Sequence, residues 1–79
     1  MLQLNIISPE RVVYKGQVEN VTVPGTLGSF EILTDHAPII SSLEAGKVEY
    51  TTQEGRRQID IKSGFVEVKK NEVNVCVEV

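Results

Sequence analysis

Period-two alternation runs through most of this chain and limits its fold more than any other feature. At the amino end Leu2, Leu4 and Ile6 fall on one face of an extended run while Gln3 and Asn5 fall on the other. Val73, Val75, Val77 and Val79 repeat the arrangement against Asn74, Cys76 and Glu78. Successive side chains of a strand point to opposite faces, so both stretches read as half-buried strands. The same period recurs in RVVY, QVENVTV, SFEIL, KVEYTT, RQIDIK and FVEVKK. Gly16, Pro24-Gly25, Gly46, Gln53-Glu54-Gly55, Ser63-Gly64 and Lys70-Asn71 separate these runs, at the spacing expected of an antiparallel sandwich or barrel. Helical spacing is confined to APIISSLEAG, where Ile39, Ile40 and Leu43 make one apolar turn before Gly46; we read it as a strand or a single turn. The expected fold class is all-β, a two-layer antiparallel β-sandwich of about nine or ten strands forming a single domain over residues 1–79. Its core is expected from Leu2, Leu4, Ile6, Val21, Val23, Ile32, Val48, Ile59, Ile61, Val68, Val73, Val75 and Val77.

A core drawn from 79 residues is small, and a chain of this size buries only about 60 to 65% of the surface its unfolded form exposes. Support from a partner is therefore expected to matter. Eight basic and eleven acidic residues give a net charge of −3, and the only basic clusters are the pairs Arg56-Arg57 and Lys69-Lys70. Nothing here gathers phosphate, so no nucleic-acid partner is expected. The single cysteine, Cys76, has no internal disulfide partner, which fits a reducing compartment. No stretch has the form of a signal peptide or the roughly 20 apolar residues of a membrane span, so direct membrane insertion is not expected.

The only histidine, His36, lies in GSFEILTDHAPIISSL, Gly28 to Leu43. Asp35 adjoins it, and neighbouring side chains of an extended segment point apart, a poor geometry for a catalytic acid-histidine dyad. One histidine and one cysteine forty positions apart match no metal-ligand spacing, and an acid-rich loop for an oxygen-only site is missing. Gly25 and Gly28 precede a strand pattern rather than a helix, so they form no phosphate-binding loop. Glu19, Glu49, Glu67 and Glu78 read as solvated strand faces. Two readings of His36 remain: it orders its own loop through a backbone hydrogen bond, or the loop, with Pro38, Ile39 and Ile40, is a surface on which a partner docks.

Several motifs in order carry a resemblance. NVTVPGTLG, then GSFEILTDHAPIISSLEAGKVEY, then SGFVEV resemble the amino-terminal sandwich domain of the epsilon subunit of rotary F-type ATP synthases. That family's GxxGxxGI turn, GHAPL segment and following L-x-x-G appear here as Gly25, Gly28 and Ile32, then His36-Ala37-Pro38-Ile39, then Leu43 and Gly46. Its opening L-x-V-x-S-P and Y/F-x-G-x-V are matched by Leu4, Ile6, Ser8-Pro9, Tyr14, Gly16 and Val18, and its GGxxEV by SGFVEV. The likeness covers essentially the whole chain. Departures fall in the middle: Asp35 stands for the usual glycine, Thr34 for the usual proline, Ser29 for a common acid and Glu31 for a glycine.

The resemblance implies a non-catalytic central-stalk subunit that holds no cofactor. It implies docking on the gamma subunit and the ring of c subunits, at the cytoplasmic face of the bacterial inner membrane. By matching position, Ser8, His36 and Ser41 would face gamma, and Ser29, Phe30 and Glu31 would form a loop towards the c ring. Epsilon subunits commonly continue into a hairpin of two helices that restrains ATP hydrolysis, and no such pattern follows the sandwich here. If residues 1–79 are the entire product, the subunit is expected to lack that inhibitory arm and to bind no ATP. A free-standing sandwich binding a small ligand or carbohydrate is the alternative. Such modules present exposed aromatic platforms, whereas this chain has no Trp and only Phe30, Phe65, Tyr14 and Tyr50, most at positions suited to a core.

Overall fold

The alternating runs pair into nine strands in a computed structural model that describes residues 1–79. They are β1 (Leu2–Ile7), β2 (Val12–Val18), β3 (Asn20–Gly25), β4 (Gly28–Ile32), β5 (Ile39–Leu43), β6 (Gly46–Thr52), β7 (Gly55–Ile61), β8 (Ser63–Lys69) and β9 (Glu72–Glu78). There is no helix, and so none long and apolar enough to cross a membrane. APIISSLEAG, left between strand and turn by its spacing, supplies strand β5.

Hydrogen bonding runs in the order β2-β1-β9-β8-β5-β3-β6-β7, with β4 on the free side of β3. The junction between β5 and β3 is a single residue pair, Gly25 with Leu43. Two bonds flank it: the Thr26 amide donates to the Ser42 carbonyl (3.1 Å) and the Glu44 amide to the Pro24 carbonyl (2.9 Å). At this narrow joint the sheet folds into two layers, β2-β1-β9-β8-β5 against β4-β3-β6-β7, which is the sandwich read from the sequence. One ladder departs from the antiparallel expectation: β1 and β9 run parallel, Leu4 beside Val73 and Ile6 beside Val75. The hairpins β1-β2 and β8-β9 are each antiparallel, and they lie side by side through the first strand and the last.

Alternation places the core. Leu2, Leu4 and Ile6 of β1, Val73, Val75 and Val77 of β9 and Val66 and Val68 of β8 turn inward from the first layer. Val21, Val23, Ile32, Val48, Tyr50 and Ile61 meet them from the second. Each fully buried Val, Leu or Ile contributes about 1.5–3 kcal/mol relative to exposure. Every expected core residue is buried except Ile59, which is half-buried on the edge strand β7. Val18, Leu43, Tyr50 and Val66 complete the cluster. Where the layers meet away from the joint, the rings of Tyr14 and Tyr50 stack at 4.6 Å, tilted by 39°.

Some expected breaks are not breaks. β2 runs through Gly16, β3 includes Pro24 and Gly25, and β8 begins at Ser63. Gly16 lies opposite Leu4, and a side chain there would come within 2.7 Å of the Tyr14 hydroxyl, so the residue makes room for the ring rather than for a turn.

Candidate functional site

His36 lies in the crossover Leu33 to Pro38, which carries the chain from β4, at the edge of one layer, to β5, at the edge of the other. The segment opens with a tight turn in which the His36 amide donates to the Leu33 carbonyl (3.1 Å). Its third residue, Asp35, has φ of 66°, the left-handed region that side chains other than Asn, Asp and Gly seldom enter. The sequence places Asp35 where the family pattern has glycine, and this backbone angle is what such a glycine supplies.

Asp35 is held from outside the loop. Its amide donates to Asn71 Oδ1 (2.6 Å), and Asn71 Nδ2 donates back to Asp35 Oδ1 (3.0 Å). Asn71 belongs to the two-residue turn between β8 and β9, where Lys70 (φ 52°) and Asn71 (φ 63°) take the paired left-handed angles of a type I′ hairpin. The Asn71 carbonyl also accepts from the Gln3 amide (2.9 Å). One asparagine thus joins the crossover, the hairpin turn and the start of β1.

No hydrogen bond joins the Asp35 carboxylate to the His36 ring, so the pair forms no dyad. His36 Nδ1 lies 2.7 Å from the Ala37 carbonyl. A carbonyl only accepts, so Nδ1 carries a proton and donates. The ring orders its own loop, the first of the two readings taken from sequence, and its Nε2 edge remains for another partner. No three His, Cys, Asp or Glu side chains converge on a common point.

The other residues singled out by sequence are dispersed. Ser8 is buried at the end of β1, where its amide donates to the Arg11 carbonyl (2.9 Å) and its Oγ accepts from the Arg11 amide (3.3 Å), pinning the β1-β2 turn. That end of the first layer is the one where Ile7 meets Cys76, whereas His36 lies by Asn71 at the other. Ser41 sits half-buried on β5 between them and donates to the Ser42 carbonyl (3.1 Å). Ser29, Phe30 and Glu31, expected in a loop, form edge strand β4, because Gly25 pairs with Gly28 and leaves only Thr26 and Leu27 at the hairpin tip. Ser29 and Glu31 are exposed, and Phe30 turns in beside Gly25. An open groove of about 350 Å³ lies there, bounded by Leu27, Phe30, Ile39 and Ser41.

The two outer faces differ in character. On the four-stranded layer Lys47 pairs with Asp60 (2.8 Å) and Arg56 approaches Glu49 (3.9 Å), and the hydrogen bond to Asp60 and its charge hold the Lys47 ammonium above the usual lysine range. The five-stranded layer carries an apolar row. Val12, Ile7, Cys76 and Phe65 are successive register partners across β2, β1, β9 and β8. Phe65 is 49% exposed and Ile40, one strand further, 74%. A shallow depression of about 370 Å³ lies along the row, with Ser8 and Pro9 at its end. Phe65 therefore departs from the core position expected of most of the aromatics. The signal was its parity: it alternates with Val66 and Val68, both of which face inward.

Residues 1–79 match the family model described as the ATP synthase delta/epsilon chain, beta-sandwich domain. The ATP synthase epsilon chain of Leptospira borgpetersenii serovar Hardjo-bovis (strain JB197) is 40% identical over 77 residues, covering 98% of this chain and 61% of the relative. That of Carboxydothermus hydrogenoformans is 42% identical over 74 residues, covering 94% and 55%. The chain thus spans about three-fifths of the length of the curated relatives it matches. Among solved structures, a chain of the Euglena gracilis mitochondrial ATP synthase (OSCP/F1/c-ring, rotational state 1) superposes with a TM-score of 0.89 at 20% identity, covering 96% of this chain and 49% of that one. A chain from the central stalk and c ring of the Tetrahymena thermophila mitochondrial ATP synthase gives 0.83 at 13%, covering 99% and 63%. At these identities the structural likeness speaks for the fold.

Proposed function

The chain belongs to the family of ATP synthase delta/epsilon β-sandwich domains, and from that premise we propose that it is a non-catalytic rotor subunit of an F-type ATP synthase. It docks on the gamma subunit and the c ring, passes ion-driven rotation towards ATP synthesis, and sits peripherally at the cytoplasmic face of a bacterial inner membrane. The match over residues 1–79 carries this reading. The apolar row on one outer face supports it, since exposed apolar surface of this kind marks a docking face.

In this reading Ser8, His36 and Ser41 serve the gamma contact, and Ser29, Phe30 and Glu31 serve the c ring. Their environments suggest different contributions. His36 offers its Nε2 edge and Ser41 a half-buried hydroxyl, so both are in reach of a partner. Ser8 contributes by fixing the turn at the end of the apolar row. On β4, the exposed Ser29 and Glu31 offer polar contacts and Phe30 shapes the groove beneath them.

The test is co-purification with the cognate gamma subunit. His36→Glu and Ser41→Arg are expected to lose gamma while keeping the parent's far-ultraviolet circular dichroism. Recovery of gamma at the parent's level by both variants would remove these residues from the interface, and failure of the parent to bring down either gamma or the c ring would refute the rotor reading itself.

A further inference from the structure

We propose that Asn71 is a positioning residue that holds the Asp35-His36 turn in its binding shape, compensating for an aspartate at a position whose backbone angle suits glycine. The proposal rests on the reading of His36 as a gamma contact. It adds a residue that lies on neither segment assigned to a partner.

Three observations converge on it. Asp35 has φ of 66°, which an isolated L-residue leaves readily for extended backbone. Asn71 grips it twice, accepting directly from the Asp35 amide and donating directly to its carboxylate. Asn71 itself has little freedom to move away, because the β8-β9 ladder holds its hairpin turn and the Gln3 amide donates to its carbonyl. The bond from the His36 amide to the Leu33 carbonyl closes the turn of which Asp35 is a corner, so releasing Asp35 also releases His36. The placement of His36, and with it the reach of Nε2, thus depends on the Asn71 side chain, 36 positions beyond Asp35.

Asn71→Gly separates the clasp from the hairpin, because glycine suits the second position of a type I′ turn better than asparagine does and removes only the side-chain bonds. Loss of hydrogen bonds of this kind shifts an equilibrium by roughly five- to thirtyfold. In the isolated chain, amide exchange at Asp35 and His36 is expected to accelerate by such a factor while core amides such as Val75 are unchanged. Gamma affinity is expected to fall in parallel with no loss in unfolding midpoint. The swapped pair, Asp35→Asn with Asn71→Asp, keeps one donor and one acceptor across the gap and is expected to restore both readouts. Asp35→Gly in the Asn71→Gly background, which removes the need for the clasp, is expected to recover part of the affinity.

Unchanged exchange at Asp35 in Asn71→Gly overturns the proposal, as does accelerated exchange with gamma affinity intact. If the unaltered chain fails to bind gamma, the functional reading falls instead, and the exchange measurement still decides whether Asn71 holds the turn.

Discussion

Replacing Gly64 with alanine tests how closely β8 and β9 are packed. Gly64 pairs with Val77, and a Cβ added to it would run into the Cys76 carbonyl, with the Val77 Cα 3.1 Å and the Cys76 carbonyl carbon 3.2 Å away. All three are backbone atoms, so no side chain can swing aside. The strands must part, loosening the ladder next to the pair. Overpacking of this sort costs about 1–3 kcal/mol, and weakening two ladder hydrogen bonds adds about 1–2 kcal/mol, giving a loss on the order of 2–5 kcal/mol. A 79-residue domain has roughly 4–12 kcal/mol in total, and for a domain of this size each kcal/mol moves the midpoint by about 4–8 °C. Thermal unfolding followed by circular dichroism should therefore show Gly64→Ala melting about 8–40 °C below the parent by that conversion. Ser63→Ala, one residue away on the exposed face, should leave the midpoint unchanged. A midpoint for Gly64→Ala close to the parent's would show that the strands can separate at little cost and would refute the reasoning.

Leu4→Ala empties a fully buried site between β2 and β9 and should cost about 3–5 kcal/mol in denaturant unfolding, with the slope retained. Tyr50 has its phenol raised above the ordinary tyrosine range by burial first and by Tyr14 second, with Arg57 opposing. The folded chain therefore holds that proton more tightly than the unfolded one, and stability is level below about pH 10 and falls as pH rises through that value towards the folded pKa. Absorbance titration near 295 nm should show a late tyrosine step that Tyr50→Phe removes. Asp60→Asn should return the Lys47 ammonium towards its usual range in an NMR titration and leave the unfolding midpoint in place, because the pair is solvent-exposed.

The strands were legible because one face of each is buried and the other is not. Leu2, Leu4, Ile6, Val73, Val75 and Val77 declare their side by parity alone. Parity fails where the chain changes layers. Val18 and Val21 both point inward although three positions separate them, which no single strand permits; the chain turns at Glu19, whose amide donates to the Thr51 carbonyl (2.9 Å). QVENVTV reads as one run because nothing in its composition marks that corner. The parallel contact of β1 with β9 was not legible either, since register between strands seventy residues apart is set by packing rather than by local pattern. Of the candidate residues, His36 could be found as the only histidine, whereas its link to Asn71 depends on two turns meeting in space.

The last strand of the chain lies in the interior of its layer, with β1 on one side and β8 on the other. On the ribosome, β1 and β2 emerge first and form a hairpin whose inner edge has no neighbour until residues 72 to 78 have left the exit tunnel. Until then Leu2, Leu4 and Ile6 have no wall to pack against on that side, and the unpaired edge of β1 is open to any other extended segment nearby. Closure must therefore follow translation of all nine strands, and the nascent domain carries the open edge of β1 until β9 emerges.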